Sequence, residues 1–231
     1  MSEILPFSDE IETHHDRIDP NSCGDIYVVG DVHGSRAPLE RLLDTLELDS
    51  DDRVIFTGDL VRKGPDSPGV IDTVRSDSRF MSVRGNNEQK IIRGDKSPEW
   101  LRPGDQSYFE SLPVVISFAE TFVVHGGIDP RRPLESHTMR ELLNMRSPHG
   151  DGYSGPFWYD DHDGPYRVCF GHTVHQAPVN REYAVALDTG CVHGRILTAY
   201  DYRADEFVTI NSETTHEERA ASKIVSADPQ R

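Results

Sequence analysis

Cysteine is scarce. Cys23, Cys169 and Cys191 are odd in number, widely spaced and without any C-x-x-C pair, which argues against a disulfide framework and against a thiolate zinc site. Cys169 lies in the apolar run Val168-Cys169-Phe170, so a buried, inert thiol is expected. Lysine is scarce too: Lys63, Lys90, Lys96 and Lys223 are the only ones, and 24 basic residues face 40 acidic ones for a formal charge of -16. That balance repels nucleic acid and anionic lipid at long range, so neither is expected as a partner. An acidic, lysine-poor surface suits a high-salt, halophilic interior where screening reduces self-repulsion; an ordinary acidic cytosolic protein is the alternative. No apolar run approaches membrane-spanning length, and the N-terminus shows neither a basic leader nor an apolar signal core. A soluble cytoplasmic protein is expected. At 231 residues and 35% hydrophobic, the chain can bury one substantial core, and a single domain follows.

Residues 1–24 are acidic and mixed in pattern, interrupted by Pro6 and Pro20, and read as an arm that packs loosely. The domain spans residues 25–211, and the polar, charged stretch 212–231 reads as a disordered tail. Within the domain, Ile26-Tyr27-Val28-Val29 is a short apolar run ending at Gly30, as expected of a buried strand feeding a loop. Leu39, Leu42, Leu43 and Leu46 then mark one face of a helix that starts after Ser35. Val54-Ile55-Phe56-Thr57 repeats the strand, with a helix from Ser67 through Val74, and Phe80-Met81-Ser82-Val83 makes a third strand before a helix through Ile91 and Ile92. Such alternation points to α/β architecture. Beyond Leu112 the character changes: residues 114–118 and 121–124 can pair as a hairpin, and 166–170, 183–187, 195–200 and 206–210 are further strand candidates. The expected fold is therefore α/β with an α+β flavour, two packed mixed β-sheets flanked by helices.

Short polar motifs stand where the apolar runs end: Gly30-Asp31-Val32-His33-Gly34, Gly58-Asp59-Leu60-Val61, Arg84-Gly85-Asn86-Asn87-Glu88, His125-Gly126-Gly127 and Gly171-His172-Thr173. Carboxylate, imidazole and amide side chains at successive strand ends are the ligand types for a pair of hard or borderline divalent metals. On an extended segment Asp31 and His33 point the same way and can reach one ion from a single loop. Asp59 can bridge two ions, and Asn86, His125 and His172 complete the second with neutral groups. Taken singly, the first motif reads as an exposed turn and either histidine as a structural one. Their recurrence in this order gives the pattern its meaning.

With these motifs the sequence resembles the calcineurin-like metallophosphoesterases, and within them the phosphoprotein phosphatase superfamily that includes the symmetrical diadenosine tetraphosphatases and small bacterial serine/threonine phosphatases. The resemblance runs from about Asp25 to Ile210. It extends to Gly58-Asp59-Leu60-Val61-Arg62-Lys63-Gly64-Pro65-Asp66-Ser67 and to Asp188-Thr189-Gly190-Cys191-Val192. It implies a calcineurin-like sandwich with a dimetal site at the strand ends. Asp31, His33 and Asp59 would hold one ion, and Asp59, Asn86, His125 and His172 the other. It also implies hydrolysis of phosphate esters or anhydrides by in-line attack of a hydroxide held between the ions. Manganese is the expected metal, though iron, zinc, nickel or cobalt would suit the same ligands.

The chain departs from the family at one place that matters for chemistry. Relatives read Gly-Asn-His-Glu or Gly-Asn-His-Asp at the third motif, with the His as general acid; here Asn87 stands in that position. The Asp that pairs with that His in protein phosphatases is matched by Arg62. An amide cannot protonate a leaving group as imidazolium can. The family's substrate-binding Arg is matched by Lys63, which keeps the charge and loses the bidentate fork. Arg146 is a candidate second phosphate clamp, with a plain surface Arg on a helix as the alternative, and Arg62 is a further candidate for substrate contact. Arg84 is expected to orient neighbours rather than touch substrate, and His175 or His193 could supply the missing proton, although a lone loop His is more often just solvated. Loss of the acid hurts a serine alkoxide most, so dinucleoside polyphosphates are the expected substrates. Phosphoserine or phosphothreonine proteins come second, and a non-catalytic metal-binding regulator is the remote alternative.

Overall fold

Burial along the first long strand explains why the chain needs two sheets. In the computed structural model, which describes residues 6–149, 152–153 and 155–226, β2 (Ile26–Val29) is buried at all four positions. Ile26 and Val28 face a second sheet, whereas Tyr27 and Val29 join a core built with helices. A strand covered on both faces has to be apolar throughout, as this one is.

That five-stranded sheet has the order β11 (Glu206–Asn211), β10 (Ile196–Asp201), β2, β3 (Arg53–Phe56), β4 (Phe80–Ser82). Strands β2, β3 and β4 are parallel, and β10 runs against β2. The facing six-stranded sheet has the order β1 (His15–Arg17), β5 (Val115–Phe118), β6 (Thr121–Val124), β7 (Arg167–Phe170), β9 (Ala184–Ala186), β8 (Val179–Arg181). In it β6, β7 and β9 are parallel, and β5 and β6 form the expected antiparallel hairpin. Ile26, Val28, Ile55, Ile116, Phe118, Val123, Cys169, Val185 and Tyr200 fill the space between the sheets. Burial pushes the Cys169 thiol up to about 12, which makes it the inert core group expected.

Helices α2 (Arg36–Leu46) and α3 (Ser67–Ser76) cover the outer face of the first sheet through Leu39, Leu42, Leu46, Val70, Ile71 and Val74. Asp66 starts α3 by accepting from the Gly69 N–H at 2.8 Å, with Pro68 in the first turn. Helix α4 (Asn86–Ile92) follows the third motif, α5 (Asp105–Ser111) packs beside it, and α6 (Met139–Asn144) covers the other sheet with Trp158.

Both termini differ from expectation. The N-terminal stretch is docked, because α1 (Asp9–Glu12) buries Ile11 completely and Phe7 packs edge-on to Phe122 at 5.5 Å. Strand β1 then pairs with β5. At the other end, residues 212–226 are hydrogen-bonded to the domain rather than loose. His216 N–H donates to Val192 O (3.0 Å), and Val225 N–H to Val174 O (2.8 Å). Their polar composition concealed backbone pairing, which needs no apolar side chains. The last five positions of the expected tail, 227–231, lie outside the described residues.

The register brings the motifs to one edge. Val29 pairs with Phe56, Phe56 with Ser82, Val124 with Phe170, and Phe170 with Ala186. These strands of the two sheets therefore all end level, each releasing its motif at the same end of the sandwich.

Candidate metal centre

His33 and Asp31 do converge, but by a sharper route than an extended loop. His33 has φ 50°, and Asp59 (φ 50°), Arg62 (φ 73°), Lys63 (φ 69°) and His172 (φ 65°) are left-handed as well. Non-glycine residues rarely adopt this region, and a cluster of them marks backbone held in place by its surroundings for a purpose. Here the surroundings are visible. Glu88 accepts from the N–H groups of Gly85 (2.8 Å), Asp59 (3.0 Å) and Val61 (3.3 Å). His33 N–H donates to Asp59 O at 2.8 Å and Gly34 N–H to Leu60 O at 2.7 Å. One buried carboxylate thus clamps the second motif to the third, and backbone bonds clamp it to the first.

The side chains then meet. His33 Nε2 is 3.7 Å from Asp31 Oδ2 and 3.7 Å from Asp59 Oδ2, and His125 Nε2 is 3.4 Å from Asp59 Oδ1. Ligand atoms of Asp31, Asp59 and His125 all lie within 4.8 Å of one another. The His125 and His172 rings stand edge to face at 4.9 Å, and the Asn86 amide is 2.9 Å from His172 Nδ1. The structure therefore brings together all six side chains singled out in the sequence.

The donor set fits divalent cations. His125 Nδ1 lies 2.8 Å from Thr57 O, and His33 Nδ1 lies 3.3 Å from Val61 O. Each Nδ1–H donates to its carbonyl, which fixes the tautomer and leaves the Nε2 lone pair facing inward. His125 Nε2 is buried without a hydrogen-bond partner among the described residues, an expensive state for a polar atom unless something binds it. The Asn86 Nδ2 faces His172 Nδ1, and the amide oxygen, which accepts from Lys90 Nζ at 3.4 Å, is the atom it would offer a cation.

Electrostatics point the same way. Burial first, then Asp188 and Asp59, hold the Asp31 carboxyl well above the usual range. Burial would raise Asp59 too, yet its neighbours hold it below the usual carboxylate range. Burial lowers His33 to about 3 and holds His125 and His172 below the ordinary imidazole value. With those rings neutral at pH 7, Lys63 and the Asn87 N–H donors are what favour the Asp59 anion. Buried carboxylates this close together form a cluster that cations stabilise.

Two functional residues escaped the sequence reading. Asp188, just past β9, is buried beside Asp31, and the strand-end rule that picked the other motifs would have found it. Glu88 was in view as the fourth letter of its motif, but nothing in the pattern marked it as the clamp. Burial, then Asp59, pushes Glu88 up to about 8 from 4.5. A carboxyl raised in this way contributes stability fully below its unfolded value, and the contribution is lost as pH rises through the folded value. The melting temperature of chelator-treated protein should thus fall between pH 4.5 and about 8. Cation-loaded protein should lose less melting temperature across that window, because positive charge beside Asp59 offsets its repulsion while burial still raises Glu88. Parallel melting curves for the two forms would refute this account.

Around the cluster stand the candidate substrate contacts. Lys63 Nζ is 2.9 Å from His33 Nε2. Arg146 is not on a helix surface: it follows the end of α6, is half-buried, and brings Nη2 to 3.4 Å from both His172 Nδ1 and His172 O. Asn87 donates from Nδ2 to Asp59 Oδ2 (2.5 Å) and from N to Asp59 Oδ1 (2.8 Å), while its own oxygen accepts from Arg62 Nη1. Arg84 points away from the cluster. It binds Glu110 O, Leu112 O and Gln89 Oε1, and so braces α4 against α5. His175 is buried against Tyr159 OH (2.7 Å), and burial lowers it to about 4. His193 is lowered by burial as well, with Nδ1 engaged by Glu217 O at 2.6 Å. A cavity of about 680 Å³ opens beside Arg146, lined also by Arg132, Thr138, Arg140, Asn144 and Met145.

Carboxylates, imidazoles and an amide converging at the strand ends of a two-sheet sandwich define a metal-dependent phosphoester hydrolase. The family model for calcineurin-like phosphoesterases matches residues 24–205, and the chain belongs to that family. Among curated relatives, the asymmetrical bis(5'-nucleosyl)-tetraphosphatase PrpE of Oceanobacillus iheyensis is 26% identical over 81% of this chain and 92% of its own length. Serine/threonine-protein phosphatase 1 of Salmonella typhimurium is 34% identical over 40% of this chain, and the symmetrical bis(5'-nucleosyl)-tetraphosphatase of Methylococcus capsulatus 31% identical over 46%. The matched stretch is 44% of the length of each of those two relatives. A crystal structure described as "a putative diadenosine tetraphosphatase" superposes with a TM-score of 0.78 at 27% identity, covering 86% of this chain and 98% of that one.

Proposed function

We propose that the chain hydrolyses dinucleoside polyphosphates of the diadenosine tetraphosphate type, with manganese as its working metal, in the cytoplasm of a salt-adapted cell. One observation carries the substrate choice: the leaving-group position offers charge but no proton. Asn87 is locked between Asp59 and the Arg62 guanidinium, and neither an amide nor a guanidinium is an acid at neutral pH. His175 is neutral and shut in the core, and His193 is engaged by backbone. A serine or threonine alkoxide would leave unprotonated from such a site, whereas a nucleoside polyphosphate departs as a stabilised anion. The names of the Oceanobacillus and Methylococcus relatives support the same class.

Divalent cations held by Asp31, His33, Asp59, Asn86, His125 and His172 would supply Lewis acidity to the attacked phosphate. The chain's own residues do the rest. Glu88 fixes the backbone that presents Asp59, the Asn87 N–H groups orient that carboxylate, and Lys63 and Arg146 bind the non-bridging phosphate oxygens as charge develops. Arg62, aimed by Asn87, faces the departing oxygen and stabilises its charge. The 680 Å³ cavity next to Arg146 has the size of a nucleoside site.

A protein phosphatase is the second reading, supported by the Salmonella relative. Purified protein loaded with manganese would be assayed on diadenosine tetraphosphate and on phosphoserine and phosphothreonine peptides, at low and high salt. The expected kcat/KM is at least about tenfold higher on the dinucleotide, since general acid catalysis is what the peptide reaction lacks. Equal or faster turnover of a phosphopeptide reverses the order.

A further inference from the structure

The C-terminal segment carries a cation to the rim of the metal centre. It is tied at two points to loops that leave the site: Thr215 pairs with His193, with His216 and Glu217 N–H donating to Val192 O, and Val225 pairs with His175. Between those ties Arg219 turns inward. Its Nη2 donates to Tyr153 OH at 2.8 Å, its guanidinium carbon lies 5.6 Å from the Tyr153 ring centre, and its Nε donates to Lys223 O at 2.9 Å. Arg146 covers the same ring at 4.7 Å while holding Nη2 3.4 Å from His172. His172, Arg146, Tyr153 and Arg219 thus form a line running outward from the phosphate-binding end of the site.

Two guanidiniums share one tyrosine ring, and like charges held this close repel each other. The arrangement contrasts, on a chain of net charge -16, with arginines such as Arg36, Arg79, Arg102 and Arg131, which sit against carboxylates. The same end of the molecule also gathers Lys63 beside His33, Lys90 beside Asn86 and Arg62 on Asn87. An anion with charges spaced along a chain would relieve this repulsion at successive points, and guanidinium is the group best matched to phosphate oxygens.

We propose that Arg146, Tyr153 and Arg219 form a subsite for phosphates beyond the one attacked, so that the C-terminal segment is part of the substrate-binding surface and selects polyphosphate chains over monophosphates. The inference rests on the polyphosphate reading above and extends it to a residue that the sequence did not single out. Tyr153 serves as the plate that holds the two guanidiniums in register.

The test measures inhibition constants of inorganic tripolyphosphate and of orthophosphate against p-nitrophenyl phosphate hydrolysis, at constant free manganese, for the full chain and for Arg219→Gln and Arg219→Lys. Tripolyphosphate should bind the unaltered protein at least about tenfold tighter than orthophosphate, a preference that Arg219→Gln removes and Arg219→Lys partly restores. A preference unchanged in Arg219→Gln, or one lost equally in Arg219→Lys with a lowered melting temperature, overturns the proposal and leaves Arg219 a structural tie. If diadenosine tetraphosphate is not hydrolysed but the preference follows Arg219, the dinucleotide reading fails and the subsite stands.

Discussion

Asp59→Asn should lower phosphoester hydrolysis by about 10³-fold while leaving the protein folded, because it removes the carboxylate that both His33 and His125 face. Asp59 Oδ1 lies 3.4 Å from His125 Nε2, and Oδ2 lies 3.7 Å from His33 Nε2. Asparagine has the same shape and tolerates the left-handed φ of 50° that this position requires. It keeps one of the two hydrogen bonds from Asn87 and loses the other, a cost of about 1 kcal/mol. Against that loss, the change removes a buried anion that repels Asp31 and Glu88. Chelator-treated Asp59→Asn protein should therefore melt no lower than the chelator-treated parent at pH 8, although its cation affinity and turnover collapse. Stability unchanged with cation affinity and activity also unchanged would sink the catalytic reading of the centre and favour a non-catalytic role.

How far the sequence could be read depended on the kind of physics behind each feature. Strands β2, β3, β6 and β7 were legible because burial on both faces demands unbroken apolar runs, and each run stops where its polar motif begins. The helix after Ser35 was legible from its leucine face. Strands β1 and β8 were not, because His15–Arg17 and Val179–Arg181 are short, polar edge strands held by backbone bonds rather than by side-chain burial. Helix α5 was hidden as well: Asp-Gln-Ser-Tyr-Phe-Glu-Ser shows too few apolar positions to reveal a period, and only Asp105 and Phe109 are buried.

The site divides along a similar line. Asp31, His33, Asp59, Asn86, His125 and His172 could be named in advance since each lies just past a strand end, Asp31 and His33 past the same one, and parallel register brings those ends together. Glu88 could not, for its role depends on which backbone donors lie opposite it in space, whereas Asp188 stands just past β9 and was open to the same strand-end rule. The partnership of Arg62 with Asn87 was readable as a departure from the family, but its geometry was not. Arg219 left no trace at all, since it is one more charged residue in a polar stretch until the chain's return path places it on Tyr153. Local composition reports burial and turn chemistry, whereas convergence of distant polar groups is a property of the folded chain.

The packing of the motifs predicts a second large effect at a position with no functional group. Gly171 lies between β7 and His172 and donates its N–H to His125 O at 3.0 Å. A Cβ added there would strike Asp31 Oδ1 and Thr57 Oγ1. Those are the carboxylate oxygen and the hydroxyl that bond each other at 3.2 Å, and the same carboxylate accepts from His172 N–H at 3.2 Å. Gly171→Ala must push Asp31 off both donors or displace His172, and either shift misplaces a candidate ligand. Turnover should fall about 10²-fold, with weaker cation binding, because misplacing a ligand or its orienting partner by a fraction of an ångström has that order of effect. Gly94 is the control. Its φ of 73° favours glycine, but nothing lies within 4 Å of an added Cβ. Gly94→Ala should therefore cost about 1 kcal/mol of stability through backbone strain alone, with turnover and cation affinity retained. Calorimetric cation titrations and melting curves on the two variants would show opposite patterns. If Gly171→Ala bound cations as tightly as the parent, the close approach of the β7 loop to Asp31 would not be what sets the geometry of the centre.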